Sequence, residues 1–359
     1  MRRRHLLPLL PALGLALSLP ALAQGTAPGT APGTGPGAAS APELNLYSSR
    51  HYDTDRELYD AFTRETGIRV RLIEGDADQL IQRIRTEGAN SPADVLITVD
   101  AARLARAKEA GILQPIQSQV LNSRIPTNLR DAEGYWFGVS KRARVIMYDR
   151  QAGPPEGLSR FEDLADPRFR GQICVRSSSH PYNTSLTGSV LAANGPEATE
   201  AWARGVAANM ARPPQGGDRD QFRAIPSGQC RIAISNTYYL GGMATSARAE
   251  DRAIVERIGV LFPNQGAGDR GAHVNISGAG VVRTAPNAAA AQRFIEYLTS
   301  PRAQEIFAVG NMEYPVVADA PVHPVLAAFG EFREDQLNAG TYGANAAEAL
   351  RIMQRAGWR

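Results

Sequence analysis

The sequence predicts a two-lobed α/β protein with a cleft between its lobes. Three observations carry that expectation. Strand-like and helix-like segments alternate from about Leu44, a second strand-rich set begins near Lys141, and 359 residues suit about two domains. The apolar fraction of 43% is enough for large buried cores. Strands alternating with helices build a parallel sheet covered by helices. Two such lobes joined by several chain crossings can close on a ligand by hinge motion.

The elements follow in order. "LNLYS" reads as a short strand. "DTDRELYDAFTRETG" reads as a helix, with acids in its first turn, Leu58 and Phe62 four apart, and Gly67 as the stop. "IRVRLIE" alternates as a strand does, and "DADQLIQRIRTEG" places Leu80, Ile81 and Ile84 on one helix face. "ADVLITV" is a continuous apolar run, consistent with a strand buried on both sides, and "DAARLARAKEAG" is a third helix. The second set has the strands "RVIMY", "GQICVRS" and "CRIAIS", then the strand "HVNISGAGVV" and the helix "AAAAQRFIEYLTS". The lobe limits expected are 43–139 plus about 272–320, and 140–271 plus about 321–359.

The first residues read as an export signal. "MRRRH" is basic, "LLPLLPALGLALSLP" is apolar, and "ALA" at 21–23 is a small-residue cleavage pattern. The apolar stretch is short and holds three prolines, which favours a cleaved signal over a membrane anchor. "RRHLL" loosely fits a twin-arginine signal, and an ordinary secretory signal fits as well. Residues 24–42 are low-complexity Gly, Ala, Pro and Thr, a flexible tether with nothing to bury. Loss of 1–23 removes three of the 39 basic residues and no acid, so they match the 36 acidic ones. A balanced charge argues against nucleic acid and membrane surfaces, which need a basic footprint. The two cysteines, Cys174 and Cys230, favour one disulfide in an exported chain. A periplasmic location and no membrane insertion are expected.

Three segments share one grammar: an apolar strand, a small polar stretch, then tyrosine. They are "LNLYSSRHY" ending at Tyr52, "ICVRSSSHPY" ending at Tyr182, and "CRIAISNTYY" ending at Tyr238 and Tyr239. Ligands of open α/β sheets bind beyond the carboxyl ends of the strands, which puts four phenols where a ligand would sit. Each cysteine precedes its tyrosine by eight residues, so a disulfide between neighbouring parallel strands would set their register and hold the two loops together. A regular strand sends adjacent side chains to opposite faces, so Tyr238 and Tyr239 should lie in irregular backbone if both face one site.

One chemistry for such phenols is a hard metal ion. Free tyrosine ionises near pH 10, so only a strongly charged cation makes tyrosinate favourable at neutral pH. Oxygen donors of this kind suit Fe(III) better than zinc or copper. The imidazole of His51 could add a donor. Four phenolates and Fe(III) sum to one negative charge, and Arg142 in "SKRARVIMY" is the cation placed to offset it. An aromatic platform for a sugar or peptide fits the pattern equally well. His180 reads as a loop residue, His273 as a structural histidine, and "GAGDRG" at 266–271 as a loop, because a strand follows it. No nucleophile–base pair supports a hydrolase.

The segments "LNLYSSRHYDTD", "ADVLITVDAARLARAKEAGIL", "YWFGVSKRARVIMYD", "CVRSSSHPYNTSL" and "AISNTYYL" resemble, in order and spacing, the periplasmic ferric-ion-binding components of ABC transporters, the FutA/FbpA-type iron-binding family. The resemblance covers essentially all of 43–359. It implies a type II, transferrin-like periplasmic-binding-protein fold with hinge strands, and a monomeric binding protein that is not an enzyme. It implies the ligands His51, Tyr52, Tyr182, Tyr238 and Tyr239, with Arg142 beside them. The cargo implied is Fe(III), with Fe(II) and a synergistic anion such as carbonate as variations, and the partner implied is an inner-membrane ABC permease. Some relatives carry a further arginine soon after the tyrosine pair, where this chain has "LGGM". The rival expectation is a protein of the same fold that uses its tyrosines on an organic solute or oxyanion.

Overall fold

The computed structural model describes residues 42–50 and 52–359. The export signal expected at 1–23, the tether apart from Pro42, and His51 lie outside the described residues. Among the described residues no helix is long and apolar enough to cross a membrane.

The chain opens with β1 (Glu43–Ser48), α1 (Asp55–Thr66), β2 (Arg69–Glu74), α2 (Ala77–Glu87), β3 (Val95–Thr98) and α3 (Ala101–Glu109), the alternation read from the sequence. Local chemistry supports these limits. Gly67 ends α1 in the left-handed region and returns its N–H to Thr63 O. Asp76 and Asp100 cap α2 and α3 by accepting N–H groups of their first turns. β4 (Leu113–Gln114) and α4 (Gln119–Arg124) lead into β5 (Phe137–Asp149). Then come β6 (Ile173–Cys174), α5 (Pro181–Ala208), α6 (Asp218–Ala224), β7 (Ile232–Asn236), α7 (Thr237–Ala244), α8 (Ala249–Arg257) and β8 (Ile258–Leu261). The chain closes with β9 (Val274–Val282), α9 (Ala288–Leu298), α10 (Pro301–Asn311), α11 (Pro324–Ala327), α12 (Ala339–Ala344) and α13 (Ala346–Arg355).

The strands lie in the order β2-β1-β3-β9-β5-β7-β6, with β4 on β9 and β8 on β5. β1 pairs in parallel with both β2 and β3, as the alternation predicts. β9 and β5 run antiparallel to their neighbours. The segment "RVIMY" is only the end of β5, which has 13 residues. Residues 137–143 of β5 pair with β9 and 144–148 pair with β7, so one strand belongs to both halves of the sheet. The expected strand "GQICVRS" shortens to two residues. Beyond it the Asn183 amide holds Arg176 O and Ser177 O, each at 3.0 Å, which occupies carbonyls a strand would need.

β3 and β9 are buried at every position, in keeping with strands covered on both faces. Phe62 of α1 meets Phe294 and Tyr297 of α9 at centroid distances of 5.0 and 5.3 Å. Each such buried side chain contributes about 1.5–3 kcal/mol. A second cluster forms around Ile232, Ile234, Trp202 and Trp358, where α13 lies against α5.

Candidate metal centre

The four tyrosines follow the carboxyl ends of β1, β6 and β7. Tyr52 lies in the irregular segment between β1 and α1, where its carbonyl accepts from Asp55 N at 2.9 Å. Tyr182 is the second residue of α5, behind Pro181, and its N–H donates to His180 Nδ1 at 3.3 Å. Tyr238 and Tyr239 correct the expectation of irregular backbone. β7 ends at Asn236 and α7 begins at once with Thr237, so both tyrosines stand in a first helical turn. Successive helical residues diverge by about 100°, not 180°, which lets both rings face one side. Their centroids are 4.1 Å apart.

The structure brings the predicted phenols together. The Tyr182 and Tyr238 hydroxyls are 3.1 Å apart. Tyr52, Tyr182, Tyr238 and Tyr239 line one cavity of about 430 Å³, with Arg219 and Asn311 at its wall. Tyr182 and Tyr239 also border an adjoining cavity of about 610 Å³ that includes Arg103 and His180. Among the described residues no cluster of three His, Cys, Asp or Glu side chains could hold a metal.

Burial pushes the Tyr52 phenol up to about 12, with Glu313 adding to the rise and Arg142 opposing it. Tyr238 and Tyr239 rise as well, chiefly by burial and then through Tyr182. Tyr52, Tyr238 and Tyr239 are therefore protonated at neutral pH. His180 lies in the loop before α5, as expected, and its side chain caps that helix. Burial, reinforced by Arg176 and Arg144, lowers its imidazole to about 3, so it is neutral at pH 7. His273 is fully buried, edge-on to Tyr342 at 4.9 Å, and burial lowers it too. "GAGDRG" is irregular, as expected.

Arg142 stands beside the phenols, its guanidinium carbon 5.8 Å from the Tyr238 ring centre. It donates to Val99 O at 3.0 Å and Ser277 Oγ at 2.5 Å, and it pairs with Glu313 at 3.3 Å. Other charges here were not foreseen. Arg50 is 1% exposed, holds Asp55 at 2.8 Å and Glu313 at 3.1 Å, and stacks 4.9 Å from the Tyr52 ring. Arg144 and Arg176 share Asp218. Arg219 lies 5.5 Å from the Tyr239 ring and 3.7 Å from the point where a Cβ on Gly242 would sit. One sequence signal existed: Arg142 and Arg144 are two apart on an apolar strand and so share a face.

Cys174 and Cys230 form the expected disulfide, with Cα atoms 5.9 Å apart. β6 and β7 are parallel neighbours, but the register pairs Cys174 with Ala233. The bond therefore ties β6 to the segment entering β7 instead of crossing the strand pair in register.

Two sheet halves sharing a strand, with a phenol-lined cavity at their strand ends, define a two-lobed binding protein of the transferrin-like, type II class. A model of the bacterial extracellular solute-binding protein family matches residues 90–328, and the chain belongs to that family; it is a binding protein, not an enzyme. It is 53% identical over 317 residues to iron uptake protein A1 of Synechocystis sp., covering 88% of each chain. It matches a Trichodesmium protein, IdiA or FutA, solved in complex with iron and citrate ligands, at 54% identity and a TM-score of 0.85, over 88% of this chain and 100% of that one. It also matches ferric iron-binding protein A of Mannheimia haemolytica, solved in an open conformation, at 37% identity and a TM-score of 0.82, over 89% of this chain and 99% of that one.

Proposed function

We propose that this protein captures Fe(III) in the periplasm through the phenolates of Tyr52, Tyr182, Tyr238 and Tyr239 and delivers it to an ABC importer of the inner membrane. The observation that carries the reading is the convergence of four phenols on one cavity, two of their oxygens 3.1 Å apart. Neutral phenols in such a cluster attract a trivalent cation only by losing protons, so binding is coupled to proton release. The iron-bound Trichodesmium relative, at 54% identity, supports the same cargo. His51 next to Tyr52 would complete the shell, and Arg142 would stand behind it. The adjoining cavity leaves room for a synergistic anion such as carbonate, and Fe(II) is a second cargo to test.

In this proposal the lobes are 43–139 plus about 272–320, and 140–271 plus about 321–359, and the protein acts as a monomer. Closure would carry Tyr52 toward the other three phenols. An open conformation in a relative supports such motion.

The test is colour. Phenolate-to-Fe(III) charge transfer absorbs visible light, so protein mixed with a ferric chelate should turn orange to red, and should bleach in acid or with reductant. A colourless protein that instead binds an organic solute or oxyanion would overturn the reading.

A further inference from the structure

Two groups of buried charge flank the phenols, and they differ in net charge. Around Tyr52, Arg50 and Arg142 share Glu313 and Arg50 also holds Asp55, which leaves two positive charges against two negative ones. Beneath Tyr182, Arg144 and Arg176 share a single carboxylate. Arg144 Nη1 lies 3.2 Å from Asp218 Oδ1, and Arg176 Nη1 lies 2.5 Å from Asp218 Oδ2. The Asp218 side chain is 0% exposed. Among the described residues no second acid pairs with either arginine. Both guanidinium carbons face the Tyr182 ring, at 5.9 and 5.7 Å, and Arg176 also interacts with the Tyr239 hydroxyl. Another buried carboxylate, Asp100, feels Arg103 and Arg142 and is held by Ser185 and Asn275.

We propose that the Arg144–Asp218–Arg176 group is the built-in counter-charge of the site and sets its balance between ferric and ferrous iron. The inference rests on the ferric reading above. Four phenolates with Fe(III) carry one negative charge, and with Fe(II) they carry two. Arg219 at the cavity wall is exposed, so solvent screens its charge. Among the buried charges, a group with one surplus positive charge neutralises the first state and leaves the second with a net charge. Charge buried without a partner is costly, so the neutral combination is the one a closed cleft tolerates. The group around Tyr52 orients its phenol without changing this sum.

The experiment is a redox titration of the iron-loaded protein, with ferric affinity measured at the same fixed pH. Arg176→Gln should shift the midpoint to more negative potential and weaken ferric binding between about threefold and a hundredfold, the range for a unit charge at this distance in partly screened surroundings. Arg176→Lys keeps the charge and should return both values toward wild type. Asp218→Asn adds net positive charge and should move the midpoint the opposite way. The inference is overturned if Arg176→Gln leaves the midpoint unmoved, if Lys and Gln behave alike, or if the Asp218 variant shifts in the same direction as Arg176→Gln. Wild type that forms no ferric complex would overturn the ferric reading itself, an outcome distinct from coloured proteins with identical midpoints.

Discussion

Tyr52 and the three phenols opposite it reach one cavity by different routes. Tyr52 hangs on irregular chain beyond β1, with its ring against Arg50. Tyr182, Tyr238 and Tyr239 sit in the first turns of α5 and α7, beyond two neighbouring strands tied by the Cys174–Cys230 disulfide. Three phenols thus follow strands of one half of the sheet, and the fourth follows a strand of the other half. In the proposed function the difference separates two tasks. The helical trio would capture the ion, and Tyr52 would complete the shell as the cleft closes and hold the ion in.

Losing the adjacent tyrosine pair should weaken ferric binding most. The double variant Y238F/Y239F keeps both rings and loses both oxygens, so ferric affinity should fall by more than the roughly 10–100-fold typical of losing a partner one shell out. A solute binder that uses the rings for stacking would keep most of its affinity in the same titration. Y52F should do less. Colour should persist with a shifted band, and stopped-flow release to a competing chelator should run about tenfold faster. Equal losses for Tyr52 and the pair would erase the distinction between capture and completion.

Opening the disulfide probes how firmly the trio is held. C174S/C230S should lower stability by about 2–4 kcal/mol in denaturant unfolding and loosen ferric binding by less than the tyrosine variants do. The smallest effect lies away from the cavity. His273 is buried and neutral in the fold, with its imidazole lowered below the ordinary range near 6.5. A lowered histidine contributes stability above that range and loses it as pH falls through the interval below it. The melting temperature should therefore decline in acid, and H273Q should flatten part of that decline.

Much of this was legible in the sequence because it is periodic. The alternating β1–α1–β2–α2–β3–α3 run shows in its apolar spacing, and the tyrosines show by their place after strands. The helical start at Thr237, ahead of the tyrosine pair, was not legible. "TYYLGGM" joins a β-branched residue, two aromatics and two glycines, all weak helix formers. α7 is held by packing instead: a Cβ on Gly241 would lie 3.2 Å from the Met312 side chain and 3.3 Å from Leu326. The buried charges were hidden for another reason. Arg50 and Glu313 are 263 residues apart, and no local pattern announces such a pair. Asp218 comes from α6, Arg144 from β5 and Arg176 from the loop after β6, so their surplus charge appears only when the chain is folded.

The proposed function requires four phenol oxygens to meet at one ion. A crystal structure of the ferric-loaded protein, with the ion located by anomalous scattering at the iron edge, tests this most directly. It should show one peak within coordination distance of the hydroxyl oxygens of Tyr52, Tyr182, Tyr238 and Tyr239. A peak elsewhere, or an iron-free cavity holding an organic ligand stacked on the rings, would contradict it.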